Sequence, residues 1–201
     1  MLCEIFTLEN WLGVFYCKNC LSLIELGMIR NIAIVCLKNE YAKQVASILA
    51  ERLEMNWFDT FGMLLFEDAP RKLDETLKIL GTREVRKHEE DVVCYGASFD
   101  NAIIVCESGA VESNKNWKNL KKNCVVVYLH CAPKRVLDFC AKQKFENARE
   151  KRFFCIDEKR VERRIEICKK NANVVVSATG KSPFVAASMV IRELAKWVPE
   201  N

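Results

Sequence analysis

No stretch of this 201-residue chain approaches the roughly 20 consecutive apolar residues of a membrane-spanning helix, so a membrane partner is not expected. Histidine is scarce. His88 and His130 are the only two and lie far apart. Cys17 and Cys20 form the single Cys-x-x-Cys pair, whereas structural zinc usually takes four ligands from two such pairs. A metal centre is therefore not the first expectation. A surplus of one charge is missing too: 31 Lys and Arg stand against 27 Asp and Glu, a net charge of +4, and the two signs are interleaved. That balance gives no footing for a nucleic-acid partner, and the lysines of Lys115 to Lys122 read as a solvated helix face. The first 27 residues carry Glu4 and Glu9 before any basic residue, unlike a secretory signal, so a cytoplasmic protein is expected. No internal repeat or low-complexity tract appears.

What is present is ordinary for one globular domain, with 50% apolar and 29% charged residues. Cysteine is abundant at eleven, but the count is odd and several lie in apolar runs: Cys36 after Ile32 to Val35, Cys106 after Ile103 to Val105, Cys124 before Val125 to Val127. Such cysteines behave as small buried hydrophobes in a reducing compartment.

Residues 1–27 scatter Trp, Phe, Tyr and Leu without a period. They form either a packed-on helix or an extension upstream of a start at Met28, and the domain proper spans 28–201. From Asn31 strands and helices alternate. Strand patterns fall at 31–37, 102–106, 124–129 and 173–177, with a short apolar segment at Trp57-Phe58. Helical patterns fall at 41–53, 72–80, 84–93, 117–122, 133–141, 158–170 and 183–197, the last capped by Ser182-Pro183. This alternation predicts an α/β fold of three layers, a parallel sheet with helices on both faces. Ligands of such sheets bind beyond the carboxyl ends of the strands.

The residues just past those ends carry a resemblance. Asn31 to Val35, Leu49-Ala50-Glu51-Arg52-Leu53, Phe58-Asp59-Thr60, Gly81 with Arg86 and Glu89, Gly109-Ala110-Val111, Val127-Tyr128-Leu129 with Pro133, and Gly180-x-Ser182-Pro183 occur in an order and spacing that resemble the shikimate kinase family. The resemblance implies the P-loop NTPase fold. It also implies a carboxylate-binding pair in Arg86 and Arg164, with Glu89 orienting Arg86 and Gly109 beside the substrate. Guanidinium groups suit carboxylates because they donate two parallel hydrogen bonds.

The departures concern catalysis. A phosphate loop needs glycines whose N–H groups wrap the phosphates, a lysine that neutralises charge and a hydroxyl that holds Mg²⁺. The aligned stretch is Cys36-Leu37-Lys38-Asn39-Glu40-Tyr41-Ala42-Lys43, without glycine, with Ala42 at the lysine position and Lys43 at the hydroxyl position. Sliding Lys43 into the lysine position would turn the following helix by about 100° and expose its apolar face. Phe61 replaces the family's candidate base, Glu107 and Ser108 replace two glycines, and Arg152-Phe153-Phe154 stands as the remnant of a lid. Gly180-Lys181-Ser182 imitates the end of a phosphate loop but follows the last strand, and reads as a helix cap.

The leading expectation is a degenerate shikimate kinase-like protein, needing no cofactor and retained as a small-carboxylate-binding or protein-partner module. An active divergent kinase using Mg-ATP is the alternative, with phosphates held by Lys38 or Lys43 and Asp59 as a weak metal ligand. A thiol or metal protein built on Cys17 and Cys20 is the third.

Overall fold

The computed structural model describes residues 28–67, 73–144, 153–154 and 157–197. The expectations for residues 1–27, with Cys17 and Cys20, and for Arg152 lie outside them. Five strands form one sheet in the order β2-β3-β1-β4-β5: β1 (Asn31–Val35), β2 (Asn56–Asp59), β3 (Ala102–Cys106), β4 (Cys124–His130) and β5 (Val174–Ser177). All four pairings are parallel, which brings every carboxyl end to one rim.

The sequence of each strand matches its place. The central strands β1 and β3 are buried at every residue and, apart from Asn31 at the start of β1, read as apolar runs. The edge strand β5 alternates buried and exposed residues instead. On β1 the side chains divide by parity. Ile32 and Ile34 join the core beneath α1 (Asn39–Leu53) and α7 (Pro183–Leu194), with Val45, Leu49, Ala186 and Val190. Ala33 and Val35 face the opposite core, with Val93 of α3 (Leu73–Gly96) and Trp117 and Leu120 of α4 (Asn114–Asn123). The three expected layers are thus present. Along α4, Asn116, Trp117 and Leu120 are buried while Lys115, Lys118, Lys121 and Lys122 are exposed, as the solvated-face reading requires.

Three boundaries differ from the sequence reading. Helix α1 begins at Asn39, not Tyr41, leaving only Cys36, Leu37 and Lys38 between it and β1. Trp57-Phe58 belongs to a true edge strand. The two helices expected around residues 72–93 run on as α3, broken at Gly81 with φ 78° and ψ 160°, a conformation open to glycine and costly for other residues. Helix α2 (Thr60–Glu67) follows β2, and α5 (Pro133–Lys142) and α6 (Glu158–Asn171) complete the shell. Ser182 caps α7, its hydroxyl accepting from the Val185 N–H at 3.3 Å, so the Gly-Lys-Ser imitation is a helix start.

Candidate functional site

The rim at the strand ends has two halves. The first surrounds the opening of α1. Ala42 is fully buried in the core, while the next residue, Lys43, reaches sideways to Asp59, with Nζ 2.8 Å from Oδ2 and 3.2 Å from Glu40 Oε1. This is the register in which Lys43 holds the hydroxyl position. Burial works against the charge on Lys43, but Asp59 and Glu40 outweigh it and keep its pKa above the ordinary lysine value. Asp59 is further committed: Oδ1 accepts from the Phe61 N–H at 3.1 Å and Oδ2 from the Gly62 N–H at 3.2 Å, closing the first turn of α2. Among the described residues no group of three or more His, Cys, Asp or Glu side chains is placed to hold a metal ion. In this structure Asp59 serves as helix cap and lysine partner.

The remaining residues of this half are equally engaged. Lys38 Nζ lies over the rings of Tyr41 and Phe139, 5.1 and 5.7 Å from their centroids. Tyr41 Oη donates to the Lys181 carbonyl at 3.1 Å. Cys36 is buried, and its Sγ accepts from the Lys38 N–H at 3.4 Å. Asn39 keeps a buried side-chain oxygen without a partner among the described residues. At this helix start both lysines are turned to protein partners, and the Glu40 carboxylate beside them is paired with Lys43 and 66% exposed.

The second half is an ion network around the turn after β3. Arg86 Nη1 donates to Glu89 at 2.8 Å and to Glu107 at 3.1 Å, and Nη2 donates to the Phe153 carbonyl at 3.3 Å. The guanidinium also stacks on the Phe153 ring, 3.9 Å from its centroid. Its other face lies against Gly109, where a Cβ would collide with it. In this structure Gly109 gives Arg86 room. Glu107 is 1% exposed and folds back on its own turn, accepting from Ser108 Oγ at 2.6 Å and the Gly109 N–H at 2.5 Å. Burial would raise its pKa, but Arg86, Ser108 and Gly109 reverse this and hold it below the usual carboxylate value. Glu89 goes the other way: burial, with Glu107 adding repulsion, outweighs Arg86 and pushes it up to about 7.

Arg164 reaches the same turn from α6, fully buried, with Nε 3.1 Å from Glu112 and Nη1 3.3 Å from Ser108 Oγ. Its Nη2 is buried without a partner among the described residues. Glu112, from a short 3-10 turn (Ala110–Glu112), also takes both fork nitrogens of Arg160, Nε at 2.9 Å and Nη2 at 2.7 Å. Arg86 and Arg164 therefore converge on one turn, as expected. Glu112 and Arg160 were not anticipated, although the four-residue spacing of Arg160 and Arg164 puts both on one helix face. Phe61 packs against Phe154, 5.3 Å between centroids.

A sequence profile of the shikimate kinase family matches residues 43–198. The shikimate kinase of Symbiobacterium thermophilum is 32% identical over 54% of this chain and 62% of its own length. That of Caldicellulosiruptor saccharolyticus is 23% identical over 54% of this chain and 63% of its own. The chain thus spans somewhat under two thirds of these relatives. The structure of the Acinetobacter baumannii shikimate kinase in complex with shikimate superposes with a TM-score of 0.71 at 17% identity, covering 86% of this chain and 96% of that one. The Aquifex aeolicus shikimate kinase gives 0.67 at 15% identity, covering 82% and 95%. At such identities the structural likeness speaks for the fold alone.

Proposed function

The chain belongs to the shikimate kinase family, and from that premise we propose that it keeps the family's fold without ATP-dependent phosphoryl transfer, as a binding module for a small carboxylate or a protein partner. One observation carries the reading: the Lys43–Asp59 ion pair at 2.8 Å, at the position the resemblance gives to the Mg²⁺-holding hydroxyl. Phosphoryl transfer is mainly positioning and charge neutralisation. Here the lysine position is Ala42 in the core, no glycine backbone can wrap a phosphate, and the cation nearest Asp59 is a side chain of the chain itself. Glu40 adds repulsion, screened by solvent and by Lys43, to any phosphate at this helix start. At the position the resemblance gives to the candidate base stands Phe61, whose ring takes no proton and packs edge-on against Phe154.

The carboxylate half of the proposal rests on Arg164. Its Nη2 is a buried donor without a partner among the described residues, a costly condition that a ligand oxygen would relieve. Arg86 is less available, because Glu107 already takes the place of a ligand carboxylate. A shikimate-like acid would therefore bind weakly, and better once Glu107 is removed.

Calorimetry on the full chain tests both halves. Mg-ATP and Mg-ADP are expected to give no heat of binding up to millimolar concentration. Shikimate is expected to bind weakly, and about tenfold or more tightly to the Glu107→Gly variant. A micromolar dissociation constant for Mg-ATP with phosphorylated shikimate as product would establish the active divergent kinase instead.

A further inference from the structure

Three phenyl rings stand in a row beside the arginines at the turn after β3. The Arg86 guanidinium stacks on Phe153, 3.9 Å from its centroid. Phe153 meets Phe154 edge-on at 5.1 Å, and Phe154 meets Phe61 edge-on at 5.3 Å. Phe61 is tied to the same turn through its neighbour Thr60, whose Oγ1 accepts from the Glu107 N–H at 3.4 Å. Leu77, Val85 and Val92 of α3 are buried in one cluster with Phe153, and Phe61 and Phe154 pack against it. Among the described residues the row is not closed off. Phe61 and Phe154 are only half-buried and the Arg86 side chain is 22% exposed. A solute arriving from water therefore meets one guanidinium and two rings before it meets buried Arg164.

Among the described residues, acceptors for a ligand hydroxyl are short here. Asp59 is committed to the Phe61 and Gly62 N–H groups and to Lys43. Glu89 is 2% exposed and holds Arg86, and Thr60 is fully buried. A hydroxyl carried into this place loses its water and gains no partner. An aromatic ring loses little and gains edge contacts of the kind the three phenylalanines already make.

We propose that this half of the rim takes a small aromatic carboxylate, its acid group toward Arg86 and Arg164 and its ring against Phe61 and Phe154. Phe61 sets the preference over polyhydroxylated acids. The inference rests on the reading that the arginines receive a ligand carboxylate, and it adds the kind of body that carboxylate sits on. The two ends of the ligand have separate grounds. Arg164 Nη2, buried without a partner among the described residues, calls for an oxygen acceptor, and the ring row selects what is attached to it.

Calorimetry on the full chain, with benzoate and shikimate as probes, reads the preference. Benzoate is expected to bind the wild type about tenfold or more tightly than shikimate, because hydroxyls left without partners weaken the latter. Phe61→Asp puts an acceptor in the place of the ring and should cut that ratio by about tenfold. Phe61→Leu keeps the place apolar and should still prefer benzoate. Glu107→Gly should tighten both acids and leave their ratio unchanged, which places both at the arginines. Thermal melts establish that each variant is folded, and if Phe61→Asp is not, Phe61→Asn carries the same comparison. The proposal is overturned if shikimate binds the wild type as tightly as benzoate, or if the folded polar variant keeps the wild-type ratio. If neither acid binds the wild type or Glu107→Gly, the carboxylate reading beneath it falls as well, an outcome distinct from binding without preference.

Discussion

The two halves of the rim both pair their charges, but at different depths. Around α1 the ion pair is half open: the Lys43 side chain is 25% exposed and Glu40 66%. Around the turn after β3, Arg164 is 0% exposed, Glu107 2% and Glu89 3%. Removing one partner of a buried pair strands the other without water, whereas an exposed pair can be broken at little cost. The carboxylate-side network is therefore part of what holds the domain together, and the helix-start side is not. Arginines at the first place are needed by the fold whatever ligand they meet.

The strongest way to break this contrast is Arg164→Ala. It removes a fully buried guanidinium and leaves Ser108 Oγ and one side of Glu112 unserved, so urea melts should show a loss of about 3–5 kcal/mol. A loss within 1 kcal/mol would erase the distinction between the halves.

The pH dependence sharpens it, because two carboxylates of the same network move in opposite directions. Glu89 rises from 4.5 to about 7, so its contribution is present below pH 4.5 and is lost as pH rises through 7. The shift corresponds to about 3 kcal/mol at most. Glu112 falls from 4.5 to about 2, because of Arg160 foremost and Arg164, so its contribution is present above pH 4.5 and is lost as pH falls toward 2. Stability should peak in mildly acidic solution, and Glu89→Gln should flatten the alkaline limb only. A Glu89→Gln curve that still declines between pH 4.5 and 7 would refute the assignment.

Gly109→Ala tests the close approach of Arg86. The new Cβ must displace the guanidinium from Glu107 and Glu89, with an expected cost of about 2 kcal/mol in chemical denaturation. An unchanged midpoint would mean that Arg86 shifts freely.

The smallest effect belongs to Lys43→Met. The pair it breaks is partly solvated and Asp59 keeps both N–H bonds to α2, so stability should change by no more than about 1 kcal/mol. A loss near that of Arg164→Ala would make the two halves equivalent after all.

Much of this was readable beforehand. The apolar runs at 32–35, 102–106 and 124–129 marked buried parallel strands, and Ser182-Pro183 marked its helix start. Trp57-Phe58 was hard to read as a strand because an edge strand of four residues has no room for a period. The fate of Asp59 was out of reach as well, since it depends on where the Lys43 side chain goes. Glu107 appeared in the sequence as a missing glycine, and its role as the built-in partner of Arg86 did not.

Sequence alone determined the order of elements, the layers and the absence of glycine from the β1–α1 turn, because these rest on local periodicity and backbone chemistry. Tertiary structure alone decided which charges meet. Lys43 on α1 finds Asp59 at the end of β2, and Arg86 on α3 finds Glu107 just after β3. Each pairing joins a helix to the end of a strand distant in the chain, and where a helix docks on the sheet has no local signature in the residues it brings together.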